Sequence, residues 1–349
     1  MSDHRSYLGL DIGGQSVRGI RLEGDGRVSR RAAVATPASS GVEAVLTVVS
    51  AVLAELCESG AVEAVGAGTP GGVDLSGRVV GEAANIPGWP GVDLRSAISR
   101  ATGAPAFVRN DGNLAAYAEW AARGVGGESA RALLFVGLGT GIGGGYVEDG
   151  RILGGVDDMA LEIGHVIVHP GGRMCACGRA GCVEAYASGP SIGRMAIEMA
   201  GGFDTPLARL SRSSLGGGAA INAREVYDAL AKGDTLAAAV HAIASDALSR
   251  VVGQALAFLA PDTVVLGGGV LAGATSLVDD VSRLAPLYVY EAASAGVSFE
   301  GALLGSESGL FGAALYGAST RLDREGLLAL AGRAVEALRV RPIRDGAAI

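Results

Sequence analysis

Four residues near the middle of the chain have the types and the spacing of a metal site. His165, Cys175, Cys177 and Cys182 would supply one imidazole and three thiolates, the tetrahedral ligand set that structural zinc prefers. Because protein would fill all four positions, such an ion would organise a loop and would not activate water. The alternative is three reduced cysteines packed in a loop. The remaining cysteine, Cys57, falls on the apolar face of a helix pattern and is predicted to be core.

A glycine turn near the start of the chain could approach phosphate groups. Asp11-Ile12-Gly13-Gly14 follows a short run that reads as a buried strand. Because the two glycines have no side chains, their backbone N–H groups could closely approach phosphate oxygens, and the Asp11 carboxylate could orient a hydrated Mg²⁺. The alternative is the glycine-rich end of an ordinary hairpin.

A second glycine run, Gly137 to Gly145, formally contains the dinucleotide pattern G-x-G-x-x-G at Gly139, Gly141 and Gly144. That pattern has to open a helix, so that a pyrophosphate meets the helix N-terminus. Here the run leads into Tyr146-Val147, which reads as a strand. We therefore predict a second phosphate-holding hairpin and no dinucleotide site.

A carboxylate lies at a predicted strand-to-helix junction, in Asn110-Asp111-Gly112-Asn113. A carboxylate at such a junction could face a cleft and take a proton from a hydroxyl group. The alternative is a helix N-cap, a position where Asp and Asn are preferred.

The elements that must position these residues form two similar sets, each opening with a strand, a glycine turn and a second strand. This arrangement predicts a duplicated α/β fold with a cleft between the halves. The predicted domains are a small domain over 1–112, completed by a helix over 309–330, a large domain over 113–308, and a tail over 331–349. The strands are predicted at 7–12, 17–22, 28–36, 64–68, 106–109, 132–137, 140–147 and 263–266. The helices are predicted at 41–60, 94–102, 113–123, 223–231, 236–259 and 309–318.

Composition excludes several classes of protein. The 349 residues are 49% hydrophobic and 18% charged, as in a compact globular protein. The net charge is −8 and the only lysine is Lys232, so neither a nucleic-acid surface nor a Walker-type phosphate lysine is expected. The N-terminus has no apolar signal segment, and charges, Gly or Pro interrupt the apolar stretches. We therefore expect a cytoplasmic protein that binds no membrane.

Taken together and in order, these motifs resemble the ROK family of repressors and sugar kinases. The resemblance runs from about residue 7 to 318. Its most specific parts are Glu162-Ile163-Gly164-His165 and the cysteine motif that ends in Cys182-x-Glu184. It implies an α/β protein with a two-domain, actin/hexokinase-like ATPase fold and an interdomain cleft. It also implies the activity of an ATP-dependent kinase that phosphorylates the 6-hydroxyl of a hexose or amino-hexose, such as glucose or kanosamine. It also implies a homodimer or tetramer.

The resemblance implies a role for each motif. Asp111 would be the catalytic base, and His165 would use one ring nitrogen for zinc and the other for sugar. Sugar hydroxyls would be bound by Asn110, Asp111, Glu162, His165 and Glu184. ATP phosphates and Mg²⁺ would be surrounded by Asp11, Gly13, Gly14, Gln15, Gly139, Thr140 and Gly141. The adenosine would lie on Gly267, Gly268 and Gly269.

The chain departs from the family pattern in two places. Gln15-Ser16 stands where these kinases usually have Thr-Lys, and Leu161 stands where they usually have Gly. Asp157 and Asp158, just before Leu161, are expected either to suit the cation of an amino sugar or to be solvated. Three alternatives stay open: an N-acetylmannosamine kinase or N-acetylglucosamine kinase, a non-catalytic sugar sensor, and a repressor. The six residues before Tyr7 leave no room for a DNA-binding domain, which disfavours the repressor.

Overall fold

The structure is a computed structural model that describes residues 5–81, 83, 86–124, 130–215 and 221–340. The predicted turns and sites all lie within these ranges, whereas the end of the predicted tail, 341–349, lies outside them. The described strands are β1 (Ser6–Ile12), β2 (Ser16–Glu23), β3 (Val28–Ala35), β4 (Ala64–Thr69), β5 (Ala106–Asn110), β6 (Ala132–Leu138), β7 (Ile142–Glu148), β8 (Arg151–Ile152), β9 (Thr263–Gly267) and β10 (Ser298–Gly301).

The helices include every one that the sequence pattern predicts. They are α1 (Val42–Cys57), α2 (Leu94–Thr102), α3 (Asp111–Arg123), α4 (Glu184–Ala187), α5 (Gly189–Met199), α6 (Pro206–Ser214), α7 (Ala223–Leu230), α8 (Thr235–Leu259), α9 (Ser276–Leu284), α10 (Glu291–Ser294), α11 (Ser308–Ser319) and α12 (Arg324–Val340). Local chemistry sets their ends. For example, the Asp93 side chain caps α2 and Gly103 ends it in the left-handed conformation.

The chain divides into two compact units. The first unit contains the described residues of Met1–Leu133, Gly145–Leu161 and Glu307–Ile349, and the second contains those of Leu134–Gly144 and Glu162–Ser306. These bounds differ from the predicted domains, which end the small domain at 112. The reason is packing: α3 lies against α11 so closely that a side chain at Gly312 would overlap the backbone of Leu114. Residues 113–133 therefore belong with the first unit.

The first unit is built on a five-stranded sheet in the order β3-β2-β1-β4-β5. Strands β1, β4 and β5 run parallel, and β2 and β3 run antiparallel to their neighbours. One face is covered by α1 and α2 through residues such as Val52, Leu56 and Ile98. The other face approaches α11, where a side chain at Gly66 would overlap the Ala313 backbone. Both faces are buried, which is why β1 is almost wholly apolar.

The predicted tail over 331–349 is not an appendage in its described part. Residues 331–340 continue α12, in which Leu330, Ala331 and Ala334 are buried. Leu328 packs over Gly124, and Arg333 packs over Gly26 and donates to the Gly24 carbonyl at 2.8 Å. The apolar residues of this stretch explain the difference, because their helical spacing buries one face against the first unit.

The second sheet has the order β10-β9-β6-β7-β8. In the second unit α8 is the central helix, with Leu236, Val240, Leu248 and Leu256 fully buried. Among the described residues this is the one helix long and apolar enough to meet a length-and-composition test for a membrane span, and half of the tested window is buried inside the protein. The burial identifies α8 as a core helix.

Candidate functional site

In the first unit the predicted residues meet where the parallel strands end. Asp11, near the end of β1, is in register with Gly68 of β4, and Thr69 is in register with Asn110 of β5. A side chain on Gly68 would touch the Cα of Asp111 at 3.5 Å. The carboxyl ends of parallel strands are where open α/β sheets bind ligands. The structure therefore brings Asp11, Asn110 and Asp111 to one edge of one sheet.

Asp111 is the first residue of α3, and Asn110 is its N-cap. The Asn110 Oδ1 accepts from the N–H groups of Gly112 and Asn113 at 2.9 and 3.2 Å, and its Nδ2 donates to the Gly71 carbonyl. The capping alternative from the sequence is thus realised by Asn110, which leaves Asp111 in the first turn. There Asp111 Oδ1 accepts from the Gly112 N–H at 2.8 Å. The helix dipole favours an ionised carboxylate at this end.

The Asp11 carboxylate has a cationic neighbour that the sequence analysis missed. Arg18 donates from Nε and Nη2 to Asp11 Oδ2, at 3.2 and 2.5 Å, and its Nη1 lies 3.3 Å from Glu307. Burial by itself lowers the pKa of Arg18, but the charge of Asp11 and the hydrogen bond to it outweigh that effect and raise the pKa. The replacement of Thr-Lys by Gln15-Ser16 could have prompted a search for another cation near this turn.

The turn after Asp11 is held by backbone hydrogen bonds. The Gly13 N–H donates to the Ser16 carbonyl at 3.0 Å, and Thr36 donates through its hydroxyl to the Gly13 carbonyl and through its N–H to the Gln15 carbonyl. Gln15 itself is exposed. These hydrogen bonds define the shape of the turn, in which Gly13 and Gly14 are partly exposed, as a backbone contact to phosphate requires.

Asp158 is neither solvated nor placed to meet a cation from outside. Its side chain is only 4% exposed and forms an ion pair with Arg109 at 2.5 Å, whereas its neighbour Asp157 is exposed. Burial by itself lowers the pKa of Arg109, but the hydrogen bonds and charge of Asp158 outweigh it and raise the pKa. The expectation of two carboxylates for an amino-sugar cation is therefore wrong for Asp158, whereas Asp157 is exposed, which agrees with either alternative.

In the second unit the glycine run forms the predicted hairpin turn between β6 and β7. The Gly139 N–H donates to the Gly141 carbonyl at 2.9 Å, and the Gly189 N–H donates to the Gly139 carbonyl at 2.8 Å. Because the run enters a strand, the prediction that it is not a dinucleotide motif is confirmed. Position 141 also lacks room for a side chain, since a Cβ atom there would lie 2.6 Å from Glu184 Oε2.

Beside this turn lies a cavity of about 740 Å³, all of whose lining residues belong to the second unit. It contains three residues predicted for ATP, namely Gly139, Thr140 and Gly269. Gly267 ends β9, and Gly268, with a φ of +89°, packs on the Leu138 backbone and not into the cavity. The sequence analysis missed the polar walls of the cavity, which are Arg194, Asn222, Arg224, Tyr227 and Asp228.

One signal in the sequence could have drawn attention to this wall. Asn222 and Glu225 form a capping box at the start of α7, a pattern that marks a helix N-terminus. Such a start beside a glycine turn is a frequent place for an anion. The other wall residues are of common types and carry no pattern of their own.

The four predicted metal ligands do converge. One side-chain ligand atom from each of His165, Cys175, Cys177 and Cys182 lies within 4.8 Å of every other. Cys177 Sγ is 3.6 Å from Cys182 Sγ, and His165 Nδ1 is 3.7 Å from Cys175 Sγ. Two sulfurs bound at about 2.3 Å in a tetrahedron would be about 3.8 Å apart, so the donor set and its spacing fit zinc.

The cluster leaves the other imidazole nitrogen of His165 for a further contact, since Nδ1 is the atom that faces Cys175. Burial raises the pKa of the Cys175 thiol to about 12. The thiolate that zinc binds would therefore form only with the charge of the ion beside it.

Of the predicted sugar ligands in the second unit, His165 belongs to this cluster and Glu184 lies beside it. Glu184 Oε2 accepts from the Ile142 N–H at 3.0 Å, and Glu184 Oε1 lies 3.5 Å from Cys175 Sγ. It therefore connects the glycine turn with the cysteines. Glu162, which is exposed, precedes the short 3₁₀ turn Ile163–His165. Gly164 in that turn packs on the Ile142 carbonyl so closely that a side chain would overlap it.

Comparison with known proteins shows which family the chain resembles. The model of the ROK family matches residues 7–318. A glucokinase from Thermotoga maritima is 33% identical over 264 residues, which are 75% of this chain and 81% of that protein. A kanosamine kinase from Amycolatopsis mediterranei is 36% identical over 304 residues, which are 84% and 92% of the two chains. N-acetylmannosamine kinases are also similar to this chain.

Among solved structures, the ROK family glucokinase from Streptomyces griseus in complex with glucose and AMPPNP superposes with a TM-score of 0.76 and 30% identity. The match covers 89% of this chain and 99% of that one. The mixed α/β architecture with two sheets, together with the similarity to this glucokinase structure, confirms the predicted fold class, that of the hexokinase-like ATPases. From its motifs, its fold and its relatives, the chain belongs to the ROK family.

Proposed function

We propose that the protein is an ATP-dependent kinase that transfers the γ-phosphoryl group to the 6-hydroxyl of a hexose or amino-hexose. The observation that carries the proposal is the position of Asp111, in the first turn of α3 at the sheet edge that also bears Asp11. The named activities of the relatives, glucokinase and kanosamine kinase, support the same reaction class.

The proposed chemistry follows from the residue types. Asp111 accepts the proton of the sugar hydroxyl, whose oxygen forms a bond to the γ-phosphorus while the bond from that phosphorus to the β,γ-bridging oxygen breaks and ADP leaves. Asn110, Glu162, His165 and Glu184 would orient the sugar. The backbone of the Gly13–Gln15 turn and the Gly139–Gly141 turn would contact the phosphates, with Asp11 on the side of the Mg²⁺ that accompanies ATP. That ion would offset the charge that develops on the phosphates.

We further propose that the 740 Å³ cavity takes the adenosine and that the cysteine cluster holds zinc. Zinc would fix the loop that carries His165, and it would leave the second ring nitrogen for a sugar hydroxyl. A cytoplasmic location and a homo-oligomer remain predictions.

An ATP-consumption screen tests the function. Purified protein is offered glucose, mannose, fructose, glucosamine, kanosamine, N-acetylglucosamine and N-acetylmannosamine, with Asp111→Asn prepared in parallel to measure contaminating kinases. We expect turnover with glucose or kanosamine that the variant lacks. Preference for an N-acetylated sugar would select the alternative kinase. No turnover with any sugar, together with measurable sugar binding, would select a non-catalytic sensor.

A further inference from the structure

The segment from Gly154 to Leu161, here called the aspartate segment, has an unfavourable backbone. Among the described residues, five that are not glycine have positive φ, and three of them lie here: Asp157 at 52°, Asp158 at 60° and Leu161 at 66°. L-residues avoid this region because Cβ approaches the carbonyl oxygen. Surrounding contacts must therefore hold the segment in place, and such concentrations of strain are typical of functional sites.

Backbone hydrogen bonds hold part of the segment, such as that from the Val73 N–H to the Asp157 carbonyl, and Asp158 supplies the side-chain contacts that follow. Its two carboxylate oxygens accept from Arg109 Nε at 2.8 Å and Nη2 at 2.5 Å, and Oδ2 also accepts from the Asn110 N–H at 2.7 Å. Its backbone carbonyl accepts from Asn113 Nδ2 at 3.3 Å. On the far side, Arg109 Nη1 donates to the Tyr316 hydroxyl at 2.8 Å, which fixes the guanidinium as well.

The partners of Asp158 flank the proposed base on both sides. Arg109 and Asn110 end β5 just before Asp111, and Asn113 follows it in the first turn of α3. Bonds to an ionised carboxylate are short and roughly twice as strong as neutral ones. The buried side chain of Asp158 therefore holds the backbone immediately before Asp111, and the Asp158 carbonyl holds the side chain of Asn113 just after it.

We propose that Asp158 is a positioning residue for Asp111, and this inference rests on the proposed function. A displacement of about 1 Å at a reacting group can lower turnover by about 10²-fold. The Asp158 side chain would act by fixing Arg109 and the Asn110 N–H at the end of β5, directly before Asp111. The ion pair with Arg109 would compensate its charge, because a lone buried carboxylate is strongly unfavourable.

The test compares two neighbouring aspartates. Asp158→Gly removes the acceptor and suits the positive φ, so the backbone itself should tolerate it. Asp157→Gly is the matched control, since Asp157 also has positive φ but its side chain is exposed. Asp158→Asn keeps one acceptor oxygen for the Asn110 N–H and tolerates the left-handed region. The measurements are kcat, the KM of ATP and the hydrogen exchange of the Asn110–Asn113 amides.

For Asp158→Gly we expect faster exchange at Asn110 and a kcat lowered about 10- to 100-fold, with the KM of ATP changed less than about 2-fold. Asp158→Asn should recover kcat to within about 5-fold of the wild type, and Asp157→Gly should match the wild type in all three measurements. Unchanged exchange at Asn110, unchanged kcat in Asp158→Gly, or equal losses in both glycine variants would overturn the proposal.

A double variant and a measurement that is independent of turnover complete the test. If Asp158→Gly does not fold because Arg109 is left unpaired, the double variant Arg109→Leu/Asp158→Gly removes that charge and carries the same comparison. Hydrogen exchange needs no turnover. A wild-type protein that phosphorylates no sugar would thus remove the proposed function, while the exchange at Asn110 would still decide whether Asp158 holds the start of α3.

Discussion

Two groups of side chains in this protein are organised by opposite means. The base edge consists of Arg109, Asn110, Asp111 and Asp158, and it is held by hydrogen bonds and one buried ion pair. The cysteine cluster consists of His165, Cys175, Cys177 and Cys182, and its four donors converge as they would on one ion. In the first group the protein supplies both charges of the central interaction. In the second, a bound metal would supply the positive one.

This difference explains why one group was predictable and the other was not. Cysteine is rare in this chain, and three of its four copies lie within eight positions, so their chemistry is visible as a local pattern. Arginine and aspartate are common, and Arg109 and Asp158 are 49 positions apart. Their pairing depends on how the aspartate segment returns to the end of β5, which no local pattern records.

The largest expected effect is at the base edge itself. Asp111→Asn should fold normally and lose about 10²- to 10⁴-fold in kcat, because an amide cannot accept the hydroxyl proton. The zinc content should stay close to that of the wild type, since the cysteine cluster is intact. Turnover near the wild-type value would mean that Asp111 is only part of the start of α3.

An intermediate effect is expected at the cysteine cluster. Wild-type protein should contain about one zinc per chain, and Cys177→Ser should lose it and weaken sugar binding by about 10- to 100-fold. Cys177 is exposed, so the substitution leaves no hole in the core. The affinity for ATP should change little. Elemental analysis and calorimetric titrations with sugar and nucleotide provide the measurements.

Cys57→Ser is the matched control for that experiment. Cys57 is half-buried, burial raises its pKa, and it lies in α1, outside the cluster. The variant should keep its zinc and its sugar affinity. Absence of zinc from the wild type, with unchanged stability after chelation, would rule out the metal site. Equal weakening of sugar and ATP binding in Cys177→Ser would indicate general unfolding instead.

The smallest expected effect is a gain in stability in the aspartate segment. Leu161 has a φ of 66°, where a leucine is unfavourable by about 1–2 kcal/mol relative to glycine. Glycine also gains conformational entropy in the unfolded chain, which offsets part of this benefit. Leu161→Gly should therefore raise the free energy of unfolding by a net amount of about 1 kcal/mol or less. In chemical denaturation, Ala160→Gly is the control and should be destabilised, since Ala160 is not among the positive-φ residues. A destabilised Leu161→Gly would show that the leucine side chain contributes more than its backbone costs.

The sequence predicted most elements and the convergence of the four residues of the cysteine cluster. Apolar spacing located α1 and α2, and the polar pair Asn110-Asp111 located the start of α3 to within two residues. Packing between distant segments was not visible. That is why the domain bounds, the docking of α12 and the burial of Asp158 differ from the expectations. The polar wall of the 740 Å³ cavity was missed for the same reason, since it combines α5 with α7.

The interrupted make-up of the first unit has a consequence for the order in which the chain is synthesised. Strands β1 and β4 pack against α11, which begins only at Ser308. At about 5–20 residues per second the ribosome needs roughly 10 to 35 s between residue 133 and that helix, and the sheet face that α11 covers stays without its partner throughout. The second unit, complete by residue 306, leaves the ribosome before α11 does. Nascent chains of this protein should therefore acquire a protease-resistant second unit first and depend on chaperones at their N-terminal end.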